Sequence, residues 1–170
     1  HTDSNSHVKC LKTGALAQGL YEATDEHYLA TRVGQVERFG KKLQEHGVPI
    51  LVPAGGHAIY IDALKFLPHI PRNQYPGQAL VVAAYIEGGV RCCEIGTVLA
   101  DRDPVTHQDR FPKLELVRLA IPRRTYSENQ LNYVADIFGE IFKNRDRIQG
   151  LKITYEAPVL RHFTCEFESV

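Results

Sequence analysis

The sequence predicts an α+β fold in which a mostly antiparallel sheet is covered by helices. Three observations carry that expectation. Apolar residues recur at three- and four-residue spacing from Leu16 to Leu43 and again after Ser127. Short apolar or alternating runs, punctuated by Gly and Pro, fall between and after those stretches. The resulting order is helix, two strands, helix, strand region, strand, helix, strand.

Taken along the chain, the first ten residues, HTDSNSHVKC, are polar and without period, and read as an arm. Leu16, Leu20, Tyr28, Leu29, Val33, Val36, Phe39 and Leu43 then trace an amphipathic helix. Thr24 or Asp25 caps its second part, Gly47 stops it, and the stretch before Asp25 reads as a separate short helix. Val48 to Val52 and Ala58 to Ile61 read as antiparallel strands around a Gly-rich turn. A Pro-rich loop leads to an Ala-rich helix from Gln78 to Glu87, closed by Gly88 and Gly89. Arg91 to Leu99 can hold a short strand, and Asp101 to Pro112 is a polar surface loop. Leu114 to Ile121 alternates as a central strand stopped by Pro122. Ser127 caps the next helix, with Gln130 as capping-box partner and Leu131, Val134, Ile137, Phe138, Ile141 and Phe142 as its buried stripe. Val159 to Phe167 alternates again as a last strand.

The 170 residues are the length of one ordinary domain, and 44% hydrophobic against 24% charged residues supports a real core. Twenty basic residues cancel twenty acidic ones, which argues against nucleic acid or a membrane surface as partner. No apolar run is long enough to cross a bilayer. The chain has no Met and starts at His1, so a trimmed or processed chain, or a piece of a longer one, is expected. Cys10, Cys92, Cys93 and Cys165 form no C-x-x-C pair and read as reduced cytosolic thiols.

Chemistry-bearing signals are sparse. Arg118 interrupts an apolar strand, and a buried guanidinium needs an anion, either a carboxylate of the protein or that of a ligand. His162 stands in the last predicted strand between Arg161 and Phe163, as a core or a site residue. His57 follows Gly55-Gly56 and His69 lies among prolines; both read as turn or loop residues, and Arg123 and Arg124 as solvated. No phosphate loop, metal-ligand spacing or nucleophile–base set appears.

The runs AGGHAIYIDA (Ala54 to Ala63), KFLPHIP (Lys65 to Pro71), EIG (Glu94 to Gly96), VRLAIPRRTY (Val117 to Tyr126) and LKITYEAPVLRHFT (Leu151 to Thr164) resemble the C-terminal part of the β-eliminating lyases. These are the tryptophanases and tyrosine phenol-lyases, pyridoxal-phosphate enzymes of the aminotransferase-like fold (fold type I). The resemblance extends from Leu16 to Val170 and implies that these residues are the small C-terminal domain, with residues 1–15 a divergent or added arm. It implies that Arg118 grips the substrate α-carboxylate. Phenol-lyases carry Arg in the slot of Ile95 and Phe in that of His162; Ile and His resemble the tryptophanases, which implies Ile95 in an indole pocket and His162 on the indole side. An aliphatic side chain suits the carbocyclic edge of indole better than a phenol hydroxyl.

The implied reaction cleaves L-tryptophan to indole, pyruvate and ammonia, with pyridoxal phosphate as electron sink and the protein supplying orientation. The family's Schiff-base lysine, phosphate-binding residues and monovalent-cation ligands belong to its N-terminal part. None of Lys41, Lys42, Lys65, Lys113, Lys143 or Lys152 lies in a matching motif. The resemblance therefore implies a cytoplasmic parent enzyme, a homotetramer, whose large domain binds the cofactor; no cofactor, metal or catalytic residue is expected on this chain, and none of the activity. The alternatives are a stand-alone, non-catalytic descendant that binds a ligand or protein through the same face, and the corresponding domain of a phenol-lyase with altered specificity.

Overall fold

The computed structural model describes residues 4–122 and 124–170, with side chains from residue 12 onward. Helix α1 (Ser4–Glu22) occupies most of the stretch expected to be an arm and runs past residue 15 without a break. Its Leu16, Leu20 and Tyr21 are exposed. Helix α2 (Glu26–Glu45) follows a cap at Asp25, whose carboxylate accepts from Tyr28 N at 2.7 Å. Gly47, at φ 81°, ends it as its N–H donates to Gln44 O. Val36, Phe39 and Leu43 are the buried part of the expected stripe.

Strand β1 (Ala58–Asp62) forms as expected, whereas its hairpin partner is reduced to one antiparallel bridge, Ile50 to Ile61. Asp62 caps the short helix α3 (Ala63–Phe66). Helix α4 (Pro76–Gly88) starts two residues before the Ala-rich run because Pro76 suits a first-turn position, and ends on Gly89 at φ 63°. Strand β2 (Cys93–Ile95), helix α5 (Thr97–Ala100) and strand β3 (Leu116–Ala120) follow. Helix α6 (Glu128–Lys143) opens on the full Ser127–Gln130 capping box. Strand β4 (Leu151–Tyr155), helix α7 (Arg161–Thr164) and strand β5 (Glu166–Ser169) complete the chain.

The main sheet is antiparallel in the order β1-β3-β2, with β3 central as its alternation predicts. Ile59, Ile61, Val117 and Leu119 bury one face against Leu80 and Ala84 of α4 and Leu131, Ala135 and Phe138 of α6. Surface pairs Arg38–Glu128, Lys42–Asp136 and His46–Asp136 join α2 to α6. The expected last strand is corrected in two ways. Its first half is helix α7, so His162 sits on a helix and not in a strand. Its second half, β5, does not join the main sheet but pairs with β4, a strand the periodicity missed.

Candidate functional site

Register places the site. Arg118 lies opposite Tyr60 of β1 and opposite Cys93 of β2, so the three side chains share one face of the sheet. Ile95, opposite Leu116, is on that same face two residues along. The intervening Val117 and Leu119 point the other way, into the core. Arg118 is half-buried, and its Nε is a buried atom without a hydrogen-bond partner among the described residues. Of the two partners open at the sequence level, no protein carboxylate takes that nitrogen among the described residues.

Helix α7 brings the imidazole. His162 Nε2 is 3.5 Å from Cys93 Sγ, and Nδ1 is 3.5 Å from Glu94 Oε2. Arg118, Ile95 and His162 therefore meet around one residue, Cys93, although they come from β3, β2 and α7. Burial pushes the His162 imidazole below its ordinary range, so it is neutral at pH 7. Burial, together with Glu94, pushes the Cys93 thiol up, which keeps it protonated.

Behind this face lies a pair of carboxyl groups that periodicity did not reveal. Glu94 is 1% and Glu115 0% exposed. Both are held by the start of α5: Glu115 accepts from Thr97 N and Thr97 Oγ1, each at 2.8 Å, and Glu94 from Val98 N at 3.2 Å and Leu99 N at 3.0 Å. A Cβ on Gly96 would stand 2.2 Å from Glu115 Oε1 and 2.6 Å from Glu94 Oε1, so only glycine lets the two carboxyls converge there. Burial raises Glu94 to about 7; two backbone N–H donors oppose the rise and the neighbouring Glu115 adds to it.

Arg161, also missed, fastens α7. It is 2% exposed and donates to Val98 O, Thr97 O, Asp109 and Glu156. Asp109 additionally accepts from Tyr75 Oη at 2.7 Å. Burial disfavours the Asp109 carboxylate, yet these donors outweigh it and hold it below the usual range. The loop 101–112 is thus anchored at Asp109 rather than purely superficial. The available signal was charge inside alternating runs: Glu94, Glu115 and Arg161 occupy positions that a strand pattern assigns without regard to pairing.

The other residues singled out from sequence stand apart. His57 and Arg124 are exposed, and exposed His69 meets Ile148 O at 2.9 Å. Arg123 and the Cys10 side chain lie outside the described residues, while Cys92, Cys93 and Cys165 are free thiols. A cleft of about 600 Å³ between α2, α6, the end of α4 and the end of β3 is lined by Phe39, Ile121, Tyr126 and Tyr133, and Arg118 is not among its lining residues. Among the described residues, no group of three or more His, Cys, Asp or Glu is arranged to hold a metal.

A guanidinium on a sheet face whose buried Nε has no partner among the described residues, flanked by an aliphatic side chain and a neutral imidazole, makes a face suited to a small carboxylate-bearing molecule with an apolar part. The comparison with known proteins gives that face its family. The Beta-eliminating lyase family matches residues 3–137, and the chain belongs to that family. It is 50% identical over 156 residues to a tyrosine phenol-lyase of Symbiobacterium thermophilum, covering 92% of this chain and 34% of that protein. A probable beta-eliminating lyase of Trichomonas vaginalis is 52% identical over 155 residues, 91% of this chain and 34% of its own length. A tryptophanase of Hyphomonas neptunium is 47% identical over 154 residues, again 91% and 34%. The chain spans about a third of the length of these relatives.

The family depends on pyridoxal phosphate and has the type I fold. On that face Arg118, Cys93, Ile95 and His162 include no lysine for a covalent link to the cofactor. Lys42, Lys65, Lys143 and Lys152 are each paired with carboxylates, none of them on this face's Arg118, Cys93 or His162. What the face fits is a carboxylate.

Proposed function

We propose that this chain supplies the substrate-side face of a pyridoxal-phosphate-dependent carbon–carbon lyase that acts on L-tryptophan, releasing indole, pyruvate and ammonia. The observation that carries the reading is the buried Arg118 Nε without a protein partner among the described residues. A substrate α-carboxylate completes it, and a charge-assisted contact of this kind fixes both position and orientation. Ile95 and His162 flank the side-chain end of the substrate, Ile95 against the carbocyclic edge and His162 through its ring nitrogens.

On this reading the chain is the small C-terminal domain, and another portion of the complete enzyme holds the cofactor. The 170-residue chain alone then turns nothing over. The parent is a cytoplasmic homotetramer; among the described residues, no helix is long and apolar enough to cross a membrane.

The test is product release by the complete enzyme carrying this chain, indole from tryptophan against phenol from tyrosine. Indole is the expected dominant product. Dominant phenol release would keep the lyase and sink the tryptophan assignment; release of neither, with carboxylate binding retained, would leave the non-catalytic alternative. In the same assay His162→Phe lowers tryptophan turnover more than it lowers cofactor content, and unchanged turnover removes His162 from the site.

A further inference from the structure

The Glu94–Glu115 pair lies outside everything assigned so far, yet one of its oxygens faces the site. Glu94 Oε1 and Glu115 Oε1 converge over Gly96, and Glu94 Oε1 accepts from Val98 N at 3.2 Å. That leaves Glu94 Oε2, bonded to Leu99 N, turned toward His162 Nδ1 at 3.5 Å. Nδ1 is a buried nitrogen without a hydrogen-bond partner among the described residues, and Glu94 Oε2 is the carboxylate oxygen that faces it. On the opposite side of the ring, Nε2 meets the thiol of Cys93, its one hydrogen-bond neighbour among the described residues.

We propose that Glu94 is a positioning residue for His162: its Oε2 accepts from Nδ1–H and so selects the tautomer that leaves Nε2 an acceptor on the Arg118 face. A neutral imidazole carries one proton, and the hydrogen bond made by one nitrogen decides the role of the other. A carboxyl oxygen is a strong acceptor, whereas a thiol sulfur is a weak one, so the proton resides on Nδ1. An ionised carboxylate is an acceptor at both oxygens, and Oε2 is the one that faces Nδ1. Nε2 is left to accept from a donor such as an N–H or O–H of the bound molecule.

The significance for turnover rests on His162 belonging to the site proposed above, but the tautomer is read without turnover, so the two can fail separately. The experiment is ¹⁵N NMR of the histidine-labelled chain at pH 8, where the imidazole is neutral, with the His162 signals identified by their loss in His162→Phe. A pyrrole-type Nδ1 and a pyridine-type Nε2 are expected; the reverse assignment overturns the proposal. Glu94→Ala moves the proton toward Nε2, and a folded Glu94→Ala that retains Nδ1–H overturns it. Where Glu94→Ala does not fold, the assignment in the native chain decides the matter.

Discussion

Arg118 keeps a buried donor unpaired, a cost that the proposed substrate carboxylate would remove. A buried donor of a charged group left unsatisfied costs about 1–3 kcal/mol, and a charge-assisted contact contributes about 1.5–3 kcal/mol. Arg118→Ala is expected to lower kcat/KM of the complete enzyme about 10- to 100-fold, and Arg118→Lys to recover only part, because an ammonium cannot reproduce the planar fork. Steady-state kinetics checks this; a fully active Lys variant removes the bidentate grip. Gly96 makes the complementary case for structure. Gly96→Ala drives a Cβ into both carboxyl groups and is expected to destabilise the fold by about 1–3 kcal/mol or more, read as a lowered urea midpoint. Arg118 was legible because a cation inside an apolar alternation is an anomaly. Glu94 and Glu115 were not, because a glutamate in a strand reads as a solvated outward position. Only the approach of the α5 backbone N–H groups makes it an inward one.

At the scale of elements, α7 is held less by its own four residues than by the guanidinium of Arg161. Removing one partner of a buried ion pair costs about 3–5 kcal/mol, since the other charge stays behind. Asp109 and Glu156 retain some solvent access, so the lower end, about 3 kcal/mol, is expected for Arg161→Met. Hydrogen exchange checks the consequence: amides around residues 161–165 lose protection before those of β3. Unchanged protection there would free α7 from dependence on this residue. The helix was hidden for the same reason. Val159 to Phe167 alternates like a strand, but Leu160 adopts φ 57° and Arg161 turns inward to carbonyls of α5, pairings that no local pattern encodes. The capping box of α6 was legible in full, because cap and partner are three residues apart. Ser127→Ala is expected to cost about 1 kcal/mol, read as a lowered thermal midpoint.

For the whole molecule, the buried acid makes stability depend on pH with a recognisable sign. Glu94 titrates at about 7 in the folded chain against an ordinary 4.5. The folded state thus holds a proton that the unfolded state has released between those values, and stability falls as pH rises through the window, by up to about 3 kcal/mol. Glu115 faces Glu94 and reinforces its protonation, whereas burial of the neutral His162 contributes the opposite slope between its lowered and ordinary values. The informative quantity is therefore a difference between variants. Unfolding free energy measured at pH 5 and pH 8 is expected to change less in Glu94→Gln than in the native chain, the removed part being the one that falls with pH. Equal slopes would mean that Glu94 ionises normally. The antiparallel sheet with β3 at its centre was legible from periodicity, while its division from the β4–β5 pair was not, because pairing between strands far apart in the chain leaves no local trace.

The placement of Ile95 and His162 bears on how such a face can change over generations. Both are only half-buried, and they hang from separate elements, β2 and α7, whose backbones are anchored by other groups. Glu94 secures the turn after β2, and Arg161 secures α7. Either contact residue can therefore be exchanged without unfastening what holds it. On the proposed function, substrate preference would then be free to drift by single replacements, while Arg118 stays where the sheet puts it.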